Sequence, residues 1–162
     1  MIEIKSPSTQ FTFLVGQILG HLVQEGDLIL VSGDLGSGKT VFAQGVAKGM
    51  GIIERVSSPT FTLMHIYQGP IVLLHADLYR LEYSQEVIDL GIMETLDEGA
   101  VGLIEWGDVA SEVFPPDFLA VDIFIEEDET RRIEFRSVGT NWTKREQSLK
   151  ISLDDLEKEP KQ

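Results

Sequence analysis

The stretch Leu28-Ile29-Leu30-Val31-Ser32-Gly33-Asp34-Leu35-Gly36-Ser37-Gly38-Lys39-Thr40 joins a short apolar run to a loop that fits G-x-x-x-x-G-K-[ST]. The run reads as a strand buried on both faces, as in a parallel sheet. Beyond the loop, Val41-Phe42-Ala43, Val46-Ala47 and Met50 recur at helical spacing until Gly51 closes the segment. Strand, glycine-rich loop and helix in that order form a phosphate-binding loop, so the chain is expected to bind a nucleoside triphosphate. Glycines let successive N–H groups turn inward around phosphate oxygens. Lys39 brings a point charge to the β- and γ-phosphates, and the Thr40 hydroxyl can ligate Mg²⁺. The dipole of the following helix adds to the attraction. Gly33, Asp34, Leu35, Gly36, Ser37, Gly38, Lys39 and Thr40 are thus the expected nucleotide-binding loop.

At 162 residues the chain is one domain, long enough for a real core and too short to add a separate substrate domain. Selectivity must then come from loops or partners. The absence of cysteine excludes disulfide, thiolate and zinc-cluster chemistry, and a reducing cytoplasm is the expected compartment. The apolar stretch 11–23 is expected to be an amphipathic first helix rather than a signal peptide, because Glu3 cancels Lys5 before it and Gln17 and His21 interrupt it. Ser6 and Pro7 are its expected N-cap and first helical residue, and Gly26 its expected C-cap. No run approaches a membrane span.

The net charge of −14 is unevenly spread: residues 61–130 hold 16 acidic groups and one basic group, Arg80. Such a surface repels a phosphate backbone, so direct, independent nucleic-acid binding is not expected. The acidity serves either solubility or docking to a basic face of another protein.

Periodicity predicts strands at 2–4, 28–32, 61–67, 71–76 and 100–105, with helices at 8–24, 39–50 and 84–90. Gln68-Gly69-Pro70 turns one pair of strands into an antiparallel hairpin, and a second hairpin is expected from 119–125 and 132–137. The fold class is therefore α/β, a single domain of the P-loop NTPase type with a mixed parallel and antiparallel sheet and flanking helices. Residues 1–140 form the expected domain and 141–162 a charged tail, a short helix or disordered.

A phosphate-binding loop needs an acid across the Mg²⁺, commonly at the end of a neighbouring strand. Two positions qualify. Ile71-Val72-Leu73-Leu74 leads to Asp77, and Val101-Gly102-Leu103-Ile104 leads to Glu105. Each is also readable as an ordinary strand-end carboxylate. Ser57-Ser58-Pro59-Thr60 lies where nucleotide-sensing loops occur in this class, and reads equally as a turn. Arg80 is open to a structural, docking or catalytic role.

The combination G-D-L-G-S-G-K-T, S-P-T-F-T, H-A-D-L-Y-R-L, G-I-M-E and I-E-W, in this order, resembles the bacterial TsaE (YjeE) family over roughly residues 8–136. That family is the ATPase partner in making threonylcarbamoyladenosine in tRNA. The resemblance implies ATP and Mg²⁺ as ligands and a complex with TsaD-like and TsaB-like proteins that carry the transfer chemistry. It implies that Lys39 and Thr40 hold phosphates and Mg²⁺, that Glu105 is the second metal ligand, and that Asp77 orients water or acts as base. Ser58, Pro59 and Thr60 form the implied switch loop, Trp106 stacks or packs near the nucleotide, and Thr12 and Arg132 approach it. The tail beyond Thr143 has no counterpart in the resemblance. The alternatives are a small-molecule P-loop kinase, disfavoured because Arg80 alone is too little for an arginine-bearing lid, and a scaffold that binds ATP without hydrolysing it. The chain has neither N-K-x-D nor D-x-x-G, which disfavours a GTPase.

Overall fold

The computed structural model describes residues 1–59, 63–106 and 112–160. Along the chain run β1 (Ile2–Ser6), α1 (Thr9–Leu22), β2 (Leu28–Gly33), α2 (Lys39–Gly49), β3 (Met64–Tyr67) and β4 (Leu73–Asp77). They are followed by α3 (Ser84–Asp89), α4 (Ile92–Asp97), β5 (Val101–Glu105), β6 (Phe118–Ile125), β7 (Arg131–Val138) and α5 (Glu146–Lys158). Among the described residues, seven strands form one sheet in the order β1-β7-β6-β2-β5-β4-β3. β2 is central and parallel to both neighbours, β5 and β6, and β4 runs parallel to β5. The antiparallel pairs lie outside, β3 with β4 on one flank, β7 with β6 and β1 on the other. The mixed sheet and both hairpins agree with the expectation from sequence.

Strand parity divides the core. Ile29 and Val31 of β2, Leu73 of β4, and Val101 and Leu103 of β5 belong to the cluster shared with α1, α2 and α5. Leu28, Leu74, Ala76 and Ile104 belong to the opposite cluster, with Val87 of α3 and Ile92 and Leu96 of α4. A strand with helices on both faces must be apolar at successive positions, which is why β2 reads as an unbroken run.

Helices α1 and α2 meet backbone to backbone. A Cβ on Gly16 would stand 2.3 Å from the Phe42 carbonyl oxygen, one on Gly20 2.2 Å from that of Val46, and one on Gly45 2.1 Å from that of Phe13. Each helix thus presents a glycine pair four residues apart, Gly16 with Gly20 and Gly45 with Gly49, and no larger residue fits.

Several local details differ from the expectation. Ser8, not Ser6, caps α1, its hydroxyl accepting from the Phe11 N–H at 3.1 Å, while Ser6 completes β1. The α1 helix ends at Leu22, and Gly26 (φ 84°) serves the turn into β2. Gly91 (φ 71°) divides the third helical region, so that α4 follows α3 as a second short helix. Residues 61 and 62, expected to open β3, lie outside the described residues.

The chain beyond residue 140 packs into the domain rather than lying apart as a tail. Leu149, Leu153 and Leu156 recur at i, i+4 and i+7 on α5 and are buried in the cluster that contains α1, as is Trp142. Arg145 clamps this segment with two hydrogen bonds to the Asp27 carboxylate, at 2.6 and 2.7 Å, and one to the Leu22 carbonyl at 2.9 Å. Its guanidinium also lies over the Trp142 ring, 3.9 Å from the centroid.

Candidate nucleotide site

The parallel strands β2, β4 and β5 finish at one edge of the sheet, the edge at which ligands bind in α/β folds. Register makes the alignment exact in residue terms: Val31 pairs with Glu105, and Glu105 pairs with Asp77. Asp77 and Glu105 share strand parity with Leu73 and Leu103, so both lie on the sheet face that carries α1 and α2. The glycine-rich loop leaves β2 at the same edge. A cleft of about 400 Å³ opens there, within the size range of small-molecule sites. The loop residues Leu35 to Thr40, Asp77, Glu105, Trp106, Ser58 and Thr12 line it.

Gly33 and Gly38 are required by the loop's course. A Cβ on Gly33 would stand 2.6 Å from both the Ile123 carbonyl oxygen and the Ser37 hydroxyl. Gly38 has φ 108°, which side chains disfavour, and from it α2 begins. Lys39 Nζ donates to the Gly33 carbonyl at 2.7 Å and the Asp34 carbonyl at 3.0 Å, and stands 4.3 Å from the centroid of the Trp106 ring. Trp106 itself holds a left-handed backbone (φ 64°), locked by its N–H to the Val31 carbonyl at 2.9 Å. The ring also packs against Tyr79, 5.2 Å between centroids. A non-glycine residue in this conformation costs energy that the surrounding contacts must offset, and such residues concentrate at functional sites.

The electrostatics oppose one another. Burial pushes the Lys39 ammonium below its ordinary pKa, while Glu105, Asp77 and Asp34 work to raise it. Burial raises the Asp77 carboxyl, with Glu105 adding in the same direction and the Tyr79 N–H, bonded to Oδ1 at 3.1 Å, opposing it. Glu105 is 2% exposed, and its Oε2 meets Nε2 of the fully buried His75 at 2.7 Å.

On the other side, Thr12 brings a hydroxyl from α1, fixed at 2.7 Å to the Ser6 hydroxyl. The arginine expected here is displaced by one residue. Arg132 lies away from the cleft, paired with Glu126 at 2.6 Å and with Glu134, its guanidinium over the Phe124 ring. Arg131 reaches the loop instead, donating to the Ser37 carbonyl at 2.9 Å and the Gly36 carbonyl at 3.2 Å. Parity carried the signal. Arg131 alternates in phase with the buried Ile133 and Phe135 and pairs with Ser6, whereas Arg132 is in phase with Glu134. Because the peptide unit is planar and trans, turning those two carbonyls toward Arg131 turns the N–H groups of Ser37 and Gly38 the opposite way, where the Ser37 N–H donates to the Asp34 carbonyl at 3.0 Å. His75, bonded to Glu105, was not singled out in the sequence; its parity with Asp77 on β4 was the available clue. Pro59 is buried and is not among the residues lining the cleft, and Thr60 lies outside the described residues.

Among the described residues, a seven-stranded mixed sheet with a glycine-rich loop between its central strand and a helix, and acids at the ends of two adjoining strands, defines a small α/β domain with this cleft at its sheet edge. The chain belongs to the TsaE family: residues 6–133 match the family described as threonylcarbamoyl adenosine biosynthesis protein TsaE. It is 37% identical over 128 residues to the tRNA threonylcarbamoyladenosine biosynthesis protein TsaE of Treponema pallidum, covering 79% of this chain and 95% of the relative. The Bacillus subtilis protein of the same name is 37% identical over 142 residues, covering 87% and 89%. A crystal structure of Bacillus subtilis YdiB superposes with a TM-score of 0.78 at 29% identity, over 96% of this chain and 95% of that one.

Proposed function

We propose that this protein binds ATP with Mg²⁺ in the cleft and hydrolyses it as the ATPase subunit of the machinery that makes threonylcarbamoyladenosine in tRNA. It acts there on a partner complex of TsaD-like and TsaB-like proteins, in the cytoplasm. The observation that carries the reading is the convergence of Lys39, Thr40, Asp77 and Glu105 at one sheet edge beside a glycine-rich loop. The names of the relatives support the pathway.

The donor set suits Mg²⁺. Among the described residues no three His, Cys, Asp or Glu side chains gather into a metal-binding group. Mg²⁺ needs no such cage, being held by one or two carboxylates, a hydroxyl and the phosphates themselves. Thr40 and Glu105 would hold it, and when bound it neutralises charge on the phosphate oxygens. Lys39 exchanges its two carbonyl partners for phosphate oxygens. Asp77, with its raised pKa and its place beside Glu105, orients the attacking water and accepts its proton. Arg131 fixes the loop's conformation through the Gly36 and Ser37 carbonyls. Among the described residues no helix is long and apolar enough to cross a membrane, which suits the proposed location.

Calorimetry with ATP on Lys39→Ala tests the binding site; loss of detectable affinity with an unchanged circular-dichroism spectrum is the expected result. Phosphate release with and without the TsaD-like and TsaB-like proteins tests the coupling. Turnover that ignores the partners would refute it, and the absence of turnover under all conditions would leave only an ATP-bound scaffold.

A further inference from the structure

Resting on the reading of Glu105 as a metal ligand, we propose that His75 is its positioning residue: a buried donor on the adjacent strand that fixes one carboxylate oxygen and leaves the other for the cation. Asp77 pairs with Glu105 across β4 and β5, and His75 lies two residues earlier on the same face. Its imidazole therefore reaches Glu105 diagonally, the neighbour distance that long side chains span on a sheet.

His75 is 0% exposed and sits between Leu73 and Asp77 along β4, opposite Leu103. An aliphatic residue would fill such a position without the desolvation cost of an imidazole. Among the described residues its only hydrogen bond is that from Nε2 to Glu105 Oε2 at 2.7 Å, and Nδ1 has no partner. The carboxylate can only accept, so the proton of this bond belongs to Nε2. Packed apolar residues in place of such a buried pair are often as stable or more so, so stability is a weak reason for it. What it does is act on Glu105, whose carboxylate is almost wholly buried yet borders the cleft. With Oε2 held by His75, rotation about the terminal carboxylate bond is blocked and Oε1 is left to the cleft. Groups of this kind, which hold a ligand's orientation, change metal affinity by about 10- to 100-fold when removed.

The test is ADP binding by calorimetry, with Mg²⁺ and in EDTA, on the intact protein. His75→Phe keeps an aromatic body and removes the donor; His75→Gln keeps an N–H at comparable reach. The expected result for His75→Phe is a loss of about 10- to 100-fold in the affinity gained from Mg²⁺, with affinity in EDTA unchanged. His75→Gln should recover most of that gain. His75→Leu takes the place of His75→Phe if the latter does not fold, as judged by thermal unfolding. A Mg²⁺ gain equal to wild type in the apolar variant, an equal loss with and without Mg²⁺, or a glutamine variant no better than phenylalanine would each overturn the proposal. A wild-type protein whose ADP affinity ignores Mg²⁺ would instead overturn the reading of Glu105 itself.

Discussion

Asp77 and Glu105 stand side by side in register, yet their surroundings assign them different work. Glu105 is tied to His75, whereas Asp77 accepts a backbone N–H and has its carboxyl pushed up by burial. Asp77→Asn is expected to slow ATP turnover by about 10²-fold or more with nucleotide affinity nearly kept, measured by single-turnover phosphate release. The kcat/KM for ATP in the wild type, which reports on groups of the free enzyme, should fall as pH drops through the raised Asp77 pKa, with an acidic limb above the ordinary aspartate value of about 4. The same shift bears on stability with a definite sign. A folded pKa above the unfolded one means that protonated Asp77 favours the folded state, and that contribution is lost as pH rises through the folded value. At neutral pH, Asp77→Asn, which retains an oxygen for the Tyr79 N–H, should therefore raise the Tm of the nucleotide-free protein. A lowered Tm would contradict the assignment. The two neighbouring arginines separate as cleanly. Arg131→Ala should weaken ATP binding by roughly tenfold, about 1.4 kcal/mol, because the loop carbonyls lose their donor. Arg132→Ala should leave it unchanged.

At the scale of elements, the crossing of α1 and α2 governs the cleft's width, because Thr12 lies one turn before Gly16 and α2 opens at Lys39. Gly20→Ala would gain up to about 1 kcal/mol in helix propensity, but its methyl would meet backbone that cannot step aside, and overpacking costs about 1–3 kcal/mol. The clash wins. Urea unfolding should show net destabilisation of about 1 kcal/mol or more, with weaker ATP binding as the helices part. The C-terminal helix behaves as core: Leu153→Ala, removing a side chain 1% exposed, should cost about 2–5 kcal/mol by the same assay. A disordered or loosely attached tail would show almost no change.

For the molecule as a whole, one basic residue stands against sixteen acidic ones between 61 and 130, a lopsidedness that docking to a basic surface would use. The exposed Glu82, Glu94 and Glu98 lie on or beside α3 and α4, which cover the sheet face opposite α1 and α2. Attraction to a basic partner surface makes association fast at low salt, and screening over a Debye length of about 8 Å at physiological ionic strength slows it. Replacing these three glutamates with glutamine is expected to lower the on-rate for a TsaD-like and TsaB-like pair in surface plasmon resonance, leaving ATP affinity of the isolated protein intact. An on-rate indifferent to salt and to the substitutions would assign the charge to solubility.

Local physics was enough to read the loop, the central strand, the two hairpins and the mixed sheet, because each depends on neighbours in sequence: an apolar run, a glycine spacing, a turn dipeptide. Asp77 and Glu105 were legible for the same reason, as polar residues that end apolar strands. Arg131, His75 and the packing of α5 into the core were not. The choice between Arg131 and Arg132 rests on a strand's phase relative to a helix layer on one face, and a one-residue shift reverses it. The bond from His75 to Glu105 joins positions thirty residues apart, and exists only because β4 and β5 pair in one register. The charged segment that became α5 left a short helix and disorder both open because its leucines are few. Only the folded chain supplies the face of α1 on which they are buried, and with it the free energy that holds the helix in place.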